Sequence, residues 1–147
     1  MRHFYYLCFL LLGFLSLPVR AGGDNRAPEQ YTREYIMKDY MKDPVRTLQL
    51  LDKAEVNSAM PLNIVDELRS AVYRNMYRNK SALHYARRAY VSDSLSHDNP
   101  SHLLRMTVSM AELFSLLSEY KESMRYAVQG VELARELKDI QLSLIHI

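Results

Sequence analysis

The sequence predicts an all-α fold of antiparallel helical hairpins stacked one on the next. Three observations predict it. Ser123, Ala127, Gly130 and Ala134 recur at i, i+4, i+7 and i+11, a helical spacing of small residues that admits a partner helix closely. Just upstream, Leu104, Met110, Ala111, Phe114 and Leu117 form an apolar stripe at helical spacing, so the two segments make one hairpin. The pattern then returns 41 residues earlier, where Ser123, Ala127 and Gly130 become Ala82, Ala86 and Ala89, and Ala111, Phe114 and Met124 become Ser70, Tyr73 and Leu83. A further step of 35 residues gives Thr47, Leu51 and Ala54. Periods of this size mark stacked units, none of which buries its apolar face alone.

Residues 1–21 read as a secretory signal peptide. Arg2 and His3 open it, Phe4–Leu17 is an apolar run of 14 residues, Pro18 ends the run, and Val19 and Ala21 take the −3 and −1 places of a cleavage site. A membrane-spanning helix needs about 20 apolar residues. The other reading of the segment is an uncleaved anchor. Cys8 lies inside the run, and the residues before it do not form a lipoprotein box. Loss of Arg2 and Arg20 lowers the 19 Lys and Arg to 17, against 17 Asp and Glu, so the mature charge is zero. Broad phosphate contact needs a basic excess, so nucleic acid is not an expected partner of this segment. The sole cysteine leaves as well, and with it any disulfide, thiol nucleophile or thiolate ligand. The expected compartment is exported, on the periplasmic or extracytoplasmic face of a bacterial membrane. Membrane contact is expected only through the signal segment or a missing downstream helix.

Residues 22–30 are a polar linker with two Gly and one Pro. The helical repeats follow over 31–140, as units of about 31–57, 61–96 and 100–138. Tyr31–Met41 is a short helix with Tyr31, Tyr35, Ile36 and Tyr40 on one side. Asp43-Pro44 reads as N-cap and first-turn proline of a helix that buries Leu48, Leu51 and Ala54. Met60-Pro61 starts the next, with Leu68, Val72, Tyr73 and Met76 inward, and Lys80–Ser94 follows. His97-Asp98-Asn99-Pro100 is a loop and helix start. Met76, Met106, Met110 and Met124 fall on apolar stripes and are expected in the core. The last helix carries further apolar residues at Val128, Val131, Leu133 and Leu137 that one partner cannot cover; the exposed remainder is expected to dock a missing next hairpin, so the purified chain is expected to self-associate or aggregate. Residues 142–147, Leu-Ser-Leu-Ile-His-Ile, match the translation of a transposon end used in preparing sequencing libraries. We expect this tail to be non-native and the chain to be the N-terminal fragment of a longer protein.

These residues resemble the tetratricopeptide repeat. That family favours a small residue at the eighth place of its unit, an aromatic at the eleventh, and small residues at the twentieth and twenty-seventh. Those places hold Ala111, Phe114, Ser123 and Gly130, and one unit earlier Ser70, Tyr73, Ala82 and Ala89. Ser118-Glu119-Tyr120 is similar to the family's Gly-Asp-Tyr turn. The resemblance covers about Tyr31–Lys138. It departs at the early aromatic, which is Thr107 or Asp66, and at the terminal Pro, which is absent. It implies a right-handed α-solenoid whose first helices line a concave groove. The second, fifth, ninth, twelfth and thirteenth places then face a ligand. They are Ile64, Glu67, Ala71, Arg74 and Asn75, then Arg105, Val108, Glu112, Ser115 and Leu116. The binding candidates are therefore Glu67, Arg74, Asn75, Arg105 and Glu112, with the two arginines as anchors for a carboxylate.

No residue pattern points to catalysis or a cofactor. Among four Gly there is no phosphate-cradling loop, and no motif groups a Ser, a His and an acid. His97, Asp98 and His102 are close enough to read as metal ligands, but a loop and helix start is where polar residues cap and meet solvent. Asn79-Lys80-Ser81 fits a glycosylation pattern at a helix turn. Six basic residues and no acid lie between Arg69 and Arg88, either a solvated face or a patch for an acidic partner. Two function classes remain. One is a non-catalytic module that binds a protein or peptide, resembling the extracytoplasmic sensor or interaction regions of bacterial histidine kinases and transcriptional regulators. The other is the scaffold part of a secreted enzyme or of a nutrient-uptake or assembly lipoprotein.

Overall fold

The structure, a computed structural model, describes residues 31–145. The signal segment, the linker and the last two residues lie outside that span. Six helices follow one another: α1 Arg33–Asp39, α2 Pro44–Val56, α3 Leu62–Asn75, α4 Asn79–Ser96, α5 Pro100–Leu116 and α6 Tyr120–Ile145. Each packs against the next in order, and there is no strand among the described residues. The chain is all-α.

The starts and stops follow local chemistry. Thr32 accepts a hydrogen bond from the Tyr35 N–H at the start of α1. Asp43 caps α2 through the Arg46 N–H at 2.9 Å, with Pro44 in the first turn. Asn99 repeats the arrangement for α5, accepting from the His102 N–H at 3.0 Å ahead of Pro100. His97 ends α4 in the left-handed region at φ 56°, so the chain turns sharply without a glycine.

Two apolar clusters hold the stack. Ile36, Leu51, Val65, Leu68 and Val72 join α1, α2 and α3. Ala82, Ala86, Met110, Leu113, Phe114 and Tyr126 join α4, α5 and α6. The small seam of α4 is fully buried, and Leu51 and Ala54 are buried likewise on α2. Phe114 stacks on Tyr126, and Tyr90 meets Tyr126 edge-on, both at 5.5 Å between ring centres.

Three expectations need correction. Tyr35 points outward, because Tyr31 and Ile36 supply the inward side of α1. Met124 is exposed rather than core. The set Ser123, Ala127, Gly130 and Ala134 does not share one covered face. Ser123 donates to the Ala111 carbonyl at 2.8 Å and Gly130 is buried against Thr107 and Val108, while Ala127 and Ala134 are exposed. A second helix of a hairpin needs one side for its own partner and another for the following hairpin, and on α6 only the first is covered. The helix also runs on through residues 142–145 of the suspected tail.

Candidate functional site

The first helices α1, α3 and α5 bring their side chains to one open groove. Arg33 and Met37 come from α1, Glu67, Ala71 and Arg74 from α3, and Leu104, Arg105, Val108 and Glu112 from α5. Of the five predicted site residues, four line it: Glu67, Arg74, Arg105 and Glu112. Asn75 lies outside this lining, as do Ile64, Ser115 and Leu116. Arg33 and Met37 were missed, because α1 shows no match to the first helix of a repeat unit.

The predicted residues pair with one another. Arg74 is ion-paired to Glu112 across α3 and α5, with both side chains about half exposed. Arg33 grips Glu67 with two nitrogens, one of them 2.8 Å from Oε1. Arg105 reaches the same carboxylate through Nε at 3.4 Å. An exposed pair of the Arg74–Glu112 kind contributes little to stability, about 0–1 kcal/mol.

Beneath the groove lies a buried polar network that the sequence did not announce. The ring of His102 is fully buried. Its Nε2–H donates to Glu67 Oε2 at 3.0 Å, and its Nδ1–H donates to Asp93 Oδ2. A carboxylate stands at each ring nitrogen, an arrangement that favours the imidazolium form, which donates from both. Asn63 completes the chain with a bond of 2.7 Å to the other Asp93 oxygen. Burial works against the charge on His102, but the hydrogen bonds and charges of Glu67 and Asp93 outweigh it and raise its pKa above the ordinary value. Burial likewise pushes the Glu67 carboxyl up. The bonds from His102 and Arg33, with the charges of Arg33 and Arg105, override it and hold that group far below the usual carboxylate range. Glu67 is thus a fixed anion in the groove floor.

His102 therefore faces inward, away from the loop where it was read beside His97 and Asp98. His97 contacts the Leu95 carbonyl at 3.2 Å instead. The missed signal was register, since His102, Met106, Met110 and Leu113 share one helical stripe.

A second network sits behind α3. Arg69, buried in the fold, binds Asp52 at 2.6 Å and also Glu55. Arg88 binds buried Asp66 at 3.1 Å. Asp66 Oδ1 has no hydrogen-bond partner among the described residues. Burial pushes the Asp66 carboxyl up, more than Arg88 and Arg69 pull it down. The basic run from Arg69 to Arg88 is thus divided, with Arg69 internal, Arg88 bound to Asp66, Arg74 paired with Glu112 in the groove, and Arg78, Lys80 and Arg87 exposed. Compared with known protein families, curated proteins and solved structures, the chain matches none.

Proposed function

We propose that this chain is a non-catalytic binding module, a tetratricopeptide-type right-handed solenoid whose groove takes a protein or peptide segment of mixed polarity. The reading rests on one observation: α1, α3 and α5 line a single open groove that carries three arginines, two glutamates and apolar side chains among them. Such a groove suits an extended segment, because small metabolites favour enclosed pockets. Arg74 and Arg105 anchor acidic groups of the segment, and Met37, Ala71 and Val108 take apolar ones. In the cell the module works outside the cytoplasm, as the sensor or interaction region of a signalling protein whose output lies elsewhere.

The test is selection of peptides from a random displayed library against the full chain, followed by affinity measurement. Charge reversal of Arg74 and Arg105 together should weaken the selected peptides at least about tenfold, roughly 1.4 kcal/mol, with helix content unchanged. Failure to select any peptide, or full affinity in the double variant, would overturn the reading.

A further inference from the structure

We infer that the exposed face of α6 is a docking surface for a second copy of this chain, with the two α6 helices packed antiparallel about a two-fold axis. The face is Met124, Ala127, Val131 and Ala134, all exposed, with Met124 at 66% and Val131 at 52%. The internal repeat says what such a face does. Forty-one residues earlier it is Leu83, Ala86, Tyr90 and Asp93 on α4. There Ala86 and Asp93 are buried, and Leu83 and Tyr90 pack into the cluster shared with α5 and α6. Thirty-five residues earlier still it is Leu48, Leu51 and Glu55 on α2, packed against α3. On α2 and α4 this face is covered by the helix that follows, and the α6 face continues that established series.

Charge narrows the occupant. Each earlier face ends in a carboxylate that binds a cation on the covering helix: Glu55 binds Arg69, and Asp93 binds His102. The α6 face has alanine at the Asp93 place and valine at the Glu55 place. A helix bringing a buried cation would find no partner there, and an unpaired buried charge is costly. Over the stretch facing Met124–Ala134 the occupant must be uncharged, and α6 meets that condition itself, with its lysine at the end of the stripe.

Size narrows it further. Tyr120, Met124, Ala127, Val131, Ala134 and Lys138 are spaced by four and three in alternation, the repeat of a coiled-coil seam. In an antiparallel pair with Met124 opposite Ala134 of the second copy, Ala127 falls opposite Val131 and Tyr120 opposite Lys138. Large meets small at the two inner layers, and a cation meets an aromatic ring at each end. The seam spans 18 residue steps, about 27 Å of helix. The arrangement is isologous and closes at two. In the same register Lys121 of one copy lies beside Arg135 of the other, so the flanks repel.

That repulsion gives a test in both directions, with sedimentation of the full chain and two variants. All share the N-terminal apolar run, so any association through it is common to them. The parent chain should show a dimer mass, and Val131→Glu should lose it while keeping its helix content by circular dichroism. Lys121→Glu, which turns two repulsions into attractions by symmetry, should tighten the dimer about fivefold. A parent chain that stays monomeric, one that forms open-ended oligomers, or a Lys121→Glu dimer no tighter than the parent would overturn the inference. A monomer would leave the face to a different helical partner.

Discussion

His102→Ala is the most informative single change in the described fold. It removes a fully buried imidazolium that donates to Glu67 and Asp93. Glu67 keeps Arg33 and Arg105, and Asp93 keeps Asn63. Two hydrogen bonds to charged groups are lost, each about 1.5–3 kcal/mol. The expected loss of stability is therefore about 3–5 kcal/mol, the range for breaking a buried pair from one side. Small domains hold only about 5–15 kcal/mol in all, so the variant should lie near its folding limit, with Tm lower by about 10–20 °C. Urea unfolding followed by far-ultraviolet circular dichroism measures this directly. The pH dependence carries the mechanism. The folded pKa of His102 lies above its ordinary 6.5, so its contribution is complete below that pH and is lost as pH rises through the folded value. The folded pKa of Glu67 lies below its ordinary 4.5, so its contribution is present above that pH and is lost as pH falls. The gap between parent and variant should be widest between these two values and narrow toward alkaline pH. A loss under about 1 kcal/mol, or a gap that stays constant well above pH 6.5, would refute the charged-histidine assignment.

Two further outcomes follow from the same geometry. Gly130→Ala should stabilise by about 0.5–1 kcal/mol, since the new Cβ would meet Thr107 and Val108 methyls at an ordinary 3.7 Å and helical glycine is unfavourable; thermal unfolding reads this. Asp66→Asn should raise stability by about 0.5–1 kcal/mol at neutral pH, because the raised Asp66 pKa means that ionisation costs more in the fold; the gain should vanish below about pH 4, as urea titrations at both pH values would show.

The hairpin scaffold was legible because its residues obey a period. Ala82, Ala86 and Ala89, read from spacing alone, are fully buried, and Thr47, Leu51 and Ala54 repeat them one unit earlier. The charged interior was not legible, because residue type argues against burial and the partners lie on different helices, from 9 positions apart for His102 and Asp93 to 38 for Glu67 and Arg105. Yet the register was present in both cases. Asp93 continues the seam of Ala82, Ala86 and Ala89 at i+11, just as His102 continues toward Met106 and Met110. Polarity masked a position that periodicity had already marked as inward. Glu67, Arg74, Arg105 and Glu112, picked from the repeat register, come together in one groove, while Arg33 beside them stands on a helix too short to show a repeat of its own.

The polar interior also addresses a problem that the small seams create. The buried seams of α2 (Thr47, Leu51, Ala54) and α4 (Ala82, Ala86, Ala89) are both uncharged, so apolar burial alone is a weak label for either. Charge pairs distinguish the two. Arg69 of α3 finds Glu55 on α2, and His102 of α5 finds Asp93 on α4. Exchanging the covering helices would leave buried Asp93 without its cation, at several kcal/mol for a buried charge left unpaired, and would take Arg69 from the partly exposed Glu55. Helix α3 carries the most of this traffic: Arg69 ties it to α2, Glu67 to α1 and α5, and Asp66 to α4. Three polar residues within four positions thus fix which neighbour lies on each side of it. The α6 face has the seam without the carboxylate. Nothing between Met124 and Ala134 selects a basic helix, and the large and small residues there alternate as the proposed two-fold pairing requires, against the repulsion of the Lys121 and Arg135 flanks.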